Sequence, residues 1–221
     1  MEDRTGKGAW LWVALLTFSA GFTNTVATLG TGLAVSHHTG NLTQLALALL
    51  EGQTTLIASL AGLILFFFLG SILAGIFFYQ KPIGQARAYG LFSLVQGSIT
   101  ILASFILSSS WILLLYFFTA LGMGLQNGIL KNVRQVTTRT SHMTGYLTDA
   151  GVALGHIIRG DRGQAWTFWY FTCHLILFFL GTLTGGLTQV LASRWALGAA
   201  GLIQLSAGIS YMIWISKRQN S

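Results

Sequence analysis

The chain has 221 residues, of which 53% are apolar and only 8% are Asp, Glu, Lys or Arg, and its mean hydropathy is +0.66. Soluble domains average about a quarter charged, so this chain has too little charge to cover a water-facing surface. The composition describes an integral membrane protein. The formal charge of +7 is spread between hydrophobic runs rather than gathered with aromatics in one patch. That speaks against nucleic acid as a partner and for the lipid bilayer.

In chain order, a spanning helix needs ~20 apolar residues, and the hydropathy predicts spans at about 9–31, 55–79, 87–108, 111–130, 165–190 and 195–216. The first run lacks a small-residue cleavage site and is longer than a signal peptide, so it reads as a retained span. Two further apolar stretches, about 41–51 and 146–158, are too short to cross. With the N-terminus in the cytoplasm, Arg4, Lys7, Lys81, Arg87, Lys131, Arg134, Arg139, Arg159, Arg162, Lys217 and Arg218 all fall inside, and Arg194 alone falls outside. The 32–54 connection and the Ser108-Ser109-Ser110 turn, both outside, carry no Lys or Arg. This is the positive-inside pattern, with both termini cytoplasmic.

The chain also repeats itself. Ser36-His37-His38-Thr39-Gly40-Asn41-Leu42-Thr43 aligns with Ser141-His142-Met143-Thr144-Gly145-Tyr146-Leu147-Thr148. Upstream, Gly21-Phe22-Thr23-Asn24 aligns with Gly124-Leu125-Gln126-Asn127; downstream, Phe67-Phe68-Leu69-Gly70-Ser71 aligns with Phe178-Phe179-Leu180-Gly181-Thr182. Three matches in one order define two halves, about 9–108 and 111–216. Each half holds three spans, so the second enters the membrane upside down. The expected fold is therefore a single all-α membrane domain over 1–221, with six transmembrane helices in a 3+3 inverted-topology repeat.

Both Ser-His-x-Thr-Gly segments look like helix starts. Ser or Thr can cap free backbone N–H groups, and Gly permits a sharp turn. Two readings stand for 36–50 and 141–156: re-entrant helices dipping in from opposite sides, or amphipathic helices on the surface. The apolar Leu45, Leu47, Leu49, Leu50, Val152, Ala153 and Leu154 favour the first.

The runs GFTNT…VSHHTGNLTQLALAL and ALGMGLQNGILKNVR…TTRTSHMTGYLTDAGVAL resemble the YoaK-like bacterial membrane proteins (domain of unknown function 1275), over nearly the whole chain. The resemblance implies a polytopic protein of the bacterial inner (plasma) membrane and no particular activity. Members of that family usually carry Asp in the first motif, as GFxDA, where this chain has Asn24.

An intramembrane carboxylate is costly and marks a functional site, so Asp149 is the first candidate to carry a coupled proton, with His38 the second. The alternative for Asp149 is a first-turn acid at a helix dipole or a partner of Arg139. The repeat-related His37 and His142, with Thr39, Gly40, Asn41, Thr144 and Gly145, are candidates to bind a solute or merely to shape the helix starts. Asn24, Gln126 and Asn127 need polar surroundings, either a solute or a neighbouring helix. His174 reads as a bond between helices. Gly181/Gly185 and Gly151/Gly155 read as close-packing pairs, and Trp10, Trp12, Trp111, Trp166, Trp195 and Trp214 as an interfacial belt.

Cys173 stands alone and no metal-ligand or catalytic spacing is present, so no metal, cofactor or enzymatic activity is expected. The expected function is a small secondary transporter or facilitator of a small polar, anionic solute, proton-coupled, with the site between the two helix starts. The alternatives are a channel or a membrane-embedded enzyme using His and Asp residues. The glycine-rich faces permit a homodimer.

Overall fold

The computed structural model describes residues 6–79, 83, 86–106, 111–129, 132–133 and 136–219. The basic residues Arg4, Lys81, Lys131 and Arg134 and the serine turn at 108–110 lie outside the described residues. Seven helices follow in order: α1 (Gly6–Thr31), α2 (His38–Glu51), α3 (Thr54–Phe77), α4 (Ala88–Ile106), α5 (Ile112–Ile129), α6 (Met143–Ile158) and α7 (Ala165–Gln219). Among the described residues, five of them are long and apolar enough to cross a membrane: α1, α3, α4, α5 and α7. Their outward faces carry large apolar side chains such as Phe68, Ile72, Leu91, Ile99, Phe179 and Leu202, which suits a lipid surround.

The sequence predicted two spans where α7 stands. The structure has one 55-residue element that leaves helical geometry at Ala192 (φ −149°, ψ 49°), just before Ser193-Arg194. We refer to a first arm, 165–191, and a second arm, 193–219. α1 packs on both. Gly21 meets Phe178 and Gly186 meets Thr25, so the first arm runs parallel to α1. Gly8 meets Trp214, and Ser19 donates to Gln204, so the second arm runs back antiparallel. α4 lies antiparallel to the second arm, with Gly90 against Met212 and Gly97 against Gly201. α3 and α5 are parallel, with Gly62 against Phe117 and Gly128 against Ala74.

These directions place the start of α1, the end of α3, the start of α4, the end of α5 and both ends of α7 at one end of the bundle. The break at Ala192 and the α2–α3 link lie at the other. The link turns on Gly52, whose φ of 68° strains any residue with a Cβ and whose N–H returns to Ala48 and Leu49.

Glycines that align in the sequence sit in matching contacts. A Cβ on Gly21 would run into the Phe178 carbonyl oxygen, and one on Gly124 into that of Phe67. Gly181 faces the Phe18 carbonyl, and Gly70 faces that of Leu121. Aligned residues thus make matching contacts, each between the first helix of one half and the third of the other. The displacement that relates Phe67 to Phe178 also relates α4 to the second arm: Gly97 meets Leu205, and Gly208 meets Leu94. Small residues let these backbones touch.

Three expectations change. Gly151 and Gly155 face open space and pack against nothing, because α6 turns that side outward. Trp12 is fully buried, not interfacial: its ring lies 5.7 Å from Tyr89 and 4.8 Å from Tyr211, and its indole N–H donates to Ser93 Oγ at 3.3 Å. A two-residue antiparallel ladder, β1 (Asn132–Val133) with β2 (Val136–Thr137), stands between α5 and α6, too short to leave a period in the sequence.

Candidate functional site

The short helices start deep inside the bundle. α3 begins at Thr54, so Phe67 lies 13 residues and roughly 20 Å along it. There the His38 ring meets the Phe67 ring at a tilt, 4.1 Å between centroids. The chain leaves α1 at Thr31, turns back, and places Ser36 beside Asn24, about 10 Å short of the end of α1: Asn24 Oδ1 accepts from Ser36 N–H and Ser36 Oγ, both at 3.1 Å. α2 then runs outward again. α6 repeats this from the opposite end of the bundle. Ser141 N–H donates to Asn127 Oδ1 at 3.3 Å, and Asn127 Nδ2 donates to Ser141 Oγ at 2.7 Å.

Between the two starts lies a cavity of about 880 Å³. Its walls come in repeat pairs: Asn24 with Asn127, His37 with His142, Thr39 with Thr144, Phe67 with Phe178. Ser36 pairs with Ser141, and Arg139 also reaches the cavity.

Local chemistry explains the motif. The N-cap residues are His37 and His142, and neither makes a side-chain cap bond. The expected Ser or Thr cap is absent because Ser36 and Ser141 are engaged by the asparagines. First-turn N–H groups therefore receive no side-chain cap. Each cap histidine folds over the glycine three residues on: a Cβ on Gly40 would collide with the His37 ring, and one on Gly145 would stand 2.8 Å from the His142 ring. A side chain at either position would displace that ring. Thr43 and Thr148, the last matched residues, return their hydroxyls to the Thr39 and Thr144 carbonyls.

Several expected site residues tie the frame instead. Asn41 is buried and donates to the Ala34 carbonyl at 2.8 Å. Its aligned counterpart Tyr146 holds the matching point, accepting from the Arg139 N–H at 2.6 Å. Gln126 is buried in a relay: its Nε2 donates to Leu16 O at 3.2 Å and Thr140 Oγ1 at 2.7 Å, and its Oε1 accepts from Gln204 at 3.1 Å. Gln204 also reaches Gln96 and Ser19. His174, as expected, bonds two helices, sharing a 2.8 Å hydrogen bond with Thr17 of α1.

Asp149 sits about one turn along α6 past Gly145, exposed, and makes no ion pair with Arg139. His38 is half-buried, with neither ring nitrogen hydrogen-bonded. Among the described residues, no group of three or more His, Cys, Asp or Glu is placed to hold a metal.

Ser36, Ser141, Phe67, Phe178 and Arg139 line the cavity although sequence reasoning did not mark them as site residues. The repeat alignment contained four of them. Arg139 was hidden because its aligned residue is Ala34.

The chain matches the model of a family described as "Protein of unknown function (DUF1275)" over residues 12–210, from α1 into the second arm, and belongs to that family. No curated protein and no solved structure matches it.

Proposed function

We propose that this family member is a small secondary transporter of a small polar solute, bound in the cavity between the two helix starts. The observation that carries the reading is the cavity itself: about 880 Å³, with asparagine, serine, threonine, histidine and arginine side chains in its walls beside apolar ones, and lined by aligned residues from segments that arrive from opposite ends of the bundle. Transporters with inverted repeats bind at the repeat interface near the midplane, on the N-termini of interrupted helices. Here the starts lie halfway along α3 and the first arm, as a midplane site requires.

In this reading the chain crosses six times, α7 contributing both arms, and α2 and α6 are re-entrant. The end that gathers Arg87, Arg159, Arg162, Lys217 and Arg218 faces the cytoplasm. Asp149 is exposed on α6 and does not line the cavity, so this reading assigns it no proton.

A carrier is favoured over a pore by one asymmetry. The second arm packs closely on α1, where Phe22 and Val26 bury against Ala196 and Ala200. The corresponding pair, α4 and α5, barely touches and leaves an apolar groove of about 600 Å³ between Phe92, Val95, Leu115 and Phe118. Two halves of like build in unlike packing suit a protein that exchanges the two arrangements.

The test is thermal stability of purified protein against a panel of small metabolites at pH 5.5 and 7.5. A solute that binds the folded state raises the melting temperature. A rise lost in Thr144→Ala supports the site, and no rise with any solute at either pH contradicts it.

A further inference from the structure

Arg139 breaks the pairing of the cavity walls. Its aligned counterpart is Ala34, so one half brings a cation and the other none. The described carboxylates lie elsewhere: Glu51 at the far end of α2, Asp149 exposed on α6, and Asp161 beyond the end of α6. Among the described residues, the Arg139 guanidinium forms neither an ion pair nor a hydrogen bond, and it is exposed where the cavity meets it.

The backbone beneath that side chain is held on three sides. Thr138 Oγ1 and Tyr170 OH share a 2.7 Å hydrogen bond, with Thr138 fully buried. The Arg139 N–H donates to Tyr146 OH at 2.6 Å. Thr140, also fully buried, accepts from Gln126 at 2.7 Å and donates to Asn127 Oδ1 at 3.3 Å. The first half fixes its matching point equally, through Asn41 on the Ala34 carbonyl, but presents a methyl group there. Like anchoring with unlike charge makes the cavity one-ended.

We propose, resting on the transporter reading above, that Arg139 selects the solute: a small organic monoanion whose single carboxylate docks on the guanidinium, its uncharged end toward His37 and Thr39. A guanidinium offers two parallel N–H groups that match the two oxygens of a carboxylate. The arriving anion supplies the partner that the guanidinium lacks among the described residues. Phe67 and Phe178 supply apolar surface for the rest of the solute. A lipid headgroup phosphate offers the same oxygens, so the test separates the two sources.

The experiment measures melting temperature and Kd for butyrate, benzoate, butyramide and succinate, in neutral detergent and in nanodiscs of zwitterionic or anionic lipid. Wild type is expected to bind at least one monocarboxylate and not the amide, in all three surroundings. R139Q weakens that binding about tenfold or more, the loss of a charge-assisted contact, and R139K retains part of it. A34R adds the missing cation and shifts preference from butyrate to succinate; this gain keeps the inference testable if R139Q folds poorly. Equal binding of butyramide and butyrate, unchanged binding in R139Q, or the absence of any carboxylate binding overturns the inference. So does carboxylate binding that anionic lipid abolishes, which assigns Arg139 to headgroups. The transporter reading survives those outcomes wherever an uncharged solute stabilises wild type and not Thr144→Ala.

Discussion

His38 rests its imidazole on the ring of Phe67, centroids 4.1 Å apart, halfway along α3. That contact fixes where α2 begins, and with it the depth of the cavity. It also removes His38 from water without giving its nitrogens a partner.

The first prediction concerns that contact. His38→Ala removes the ring that rests on Phe67 and should lower the melting temperature of the purified protein. An unchanged melting temperature would show that the contact does not hold the start of α2.

Backbone contact at the matched glycines gives the second. Gly21→Val and Gly124→Val each push a side chain into a carbonyl of the facing helix and should cost roughly 1–3 kcal/mol, as overpacking does. Gly151→Ala and Gly155→Ala, which face open space, should be neutral or mildly stabilising. Melting temperatures of the four variants decide it, and a tolerant Gly124 beside an intolerant Gly21 would break the correspondence between the halves.

Asn24 uses only its carbonyl oxygen, accepting twice from Ser36. A carboxylate accepts in the same way, so Asn24→Asp should fold like wild type. Asn24→Leu strands the Ser36 N–H and should cost about 1–3 kcal/mol. Denaturation of both in detergent checks the difference.

Much of this frame was legible in the sequence. The apolar helices could be read because lipid demands apolar runs, and glycines aligned in the sequence do meet carbonyl groups of facing helices. The short helices were placed within three residues of their starts. What could not be read depends on contacts distant in the chain. Gln126 looked like a ligand for a solute because Gln204, 78 positions on, gives no local sign of being its partner. The cap serines were misread since their hydroxyls answer to asparagines 12 and 14 positions upstream. Trp12 looked interfacial from its place near a span end, and only the tyrosines of α4 and α7 bury it.

Asp149 is exposed and does not line the cavity, so Asp149→Asn should leave solute binding unchanged across pH 5.5 to 8. Loss of binding or of its pH dependence in that variant would return the proton to Asp149.

The packed face between α1 and the second arm is expected to open during transport. Ser19 Oγ donates to Gln204 Oε1 there at 3.0 Å. Cysteines at both positions, in a Cys173→Ser background, can be joined by a short bifunctional thiol reagent. The joined protein should bind solute and fail to carry it; full uptake would show that this face stays closed throughout.

The central claim is that one site between the two helix starts is reached from both sides of the membrane. Single cysteines at Thr39 and Thr144, again in Cys173→Ser, can be labelled by an impermeant thiol reagent added to one side of sealed vesicles at a time. The account predicts that each position is labelled from either side, and that bound solute protects both together. Labelling of Thr39→Cys from one side only and Thr144→Cys from the other only, with no protection, would contradict it.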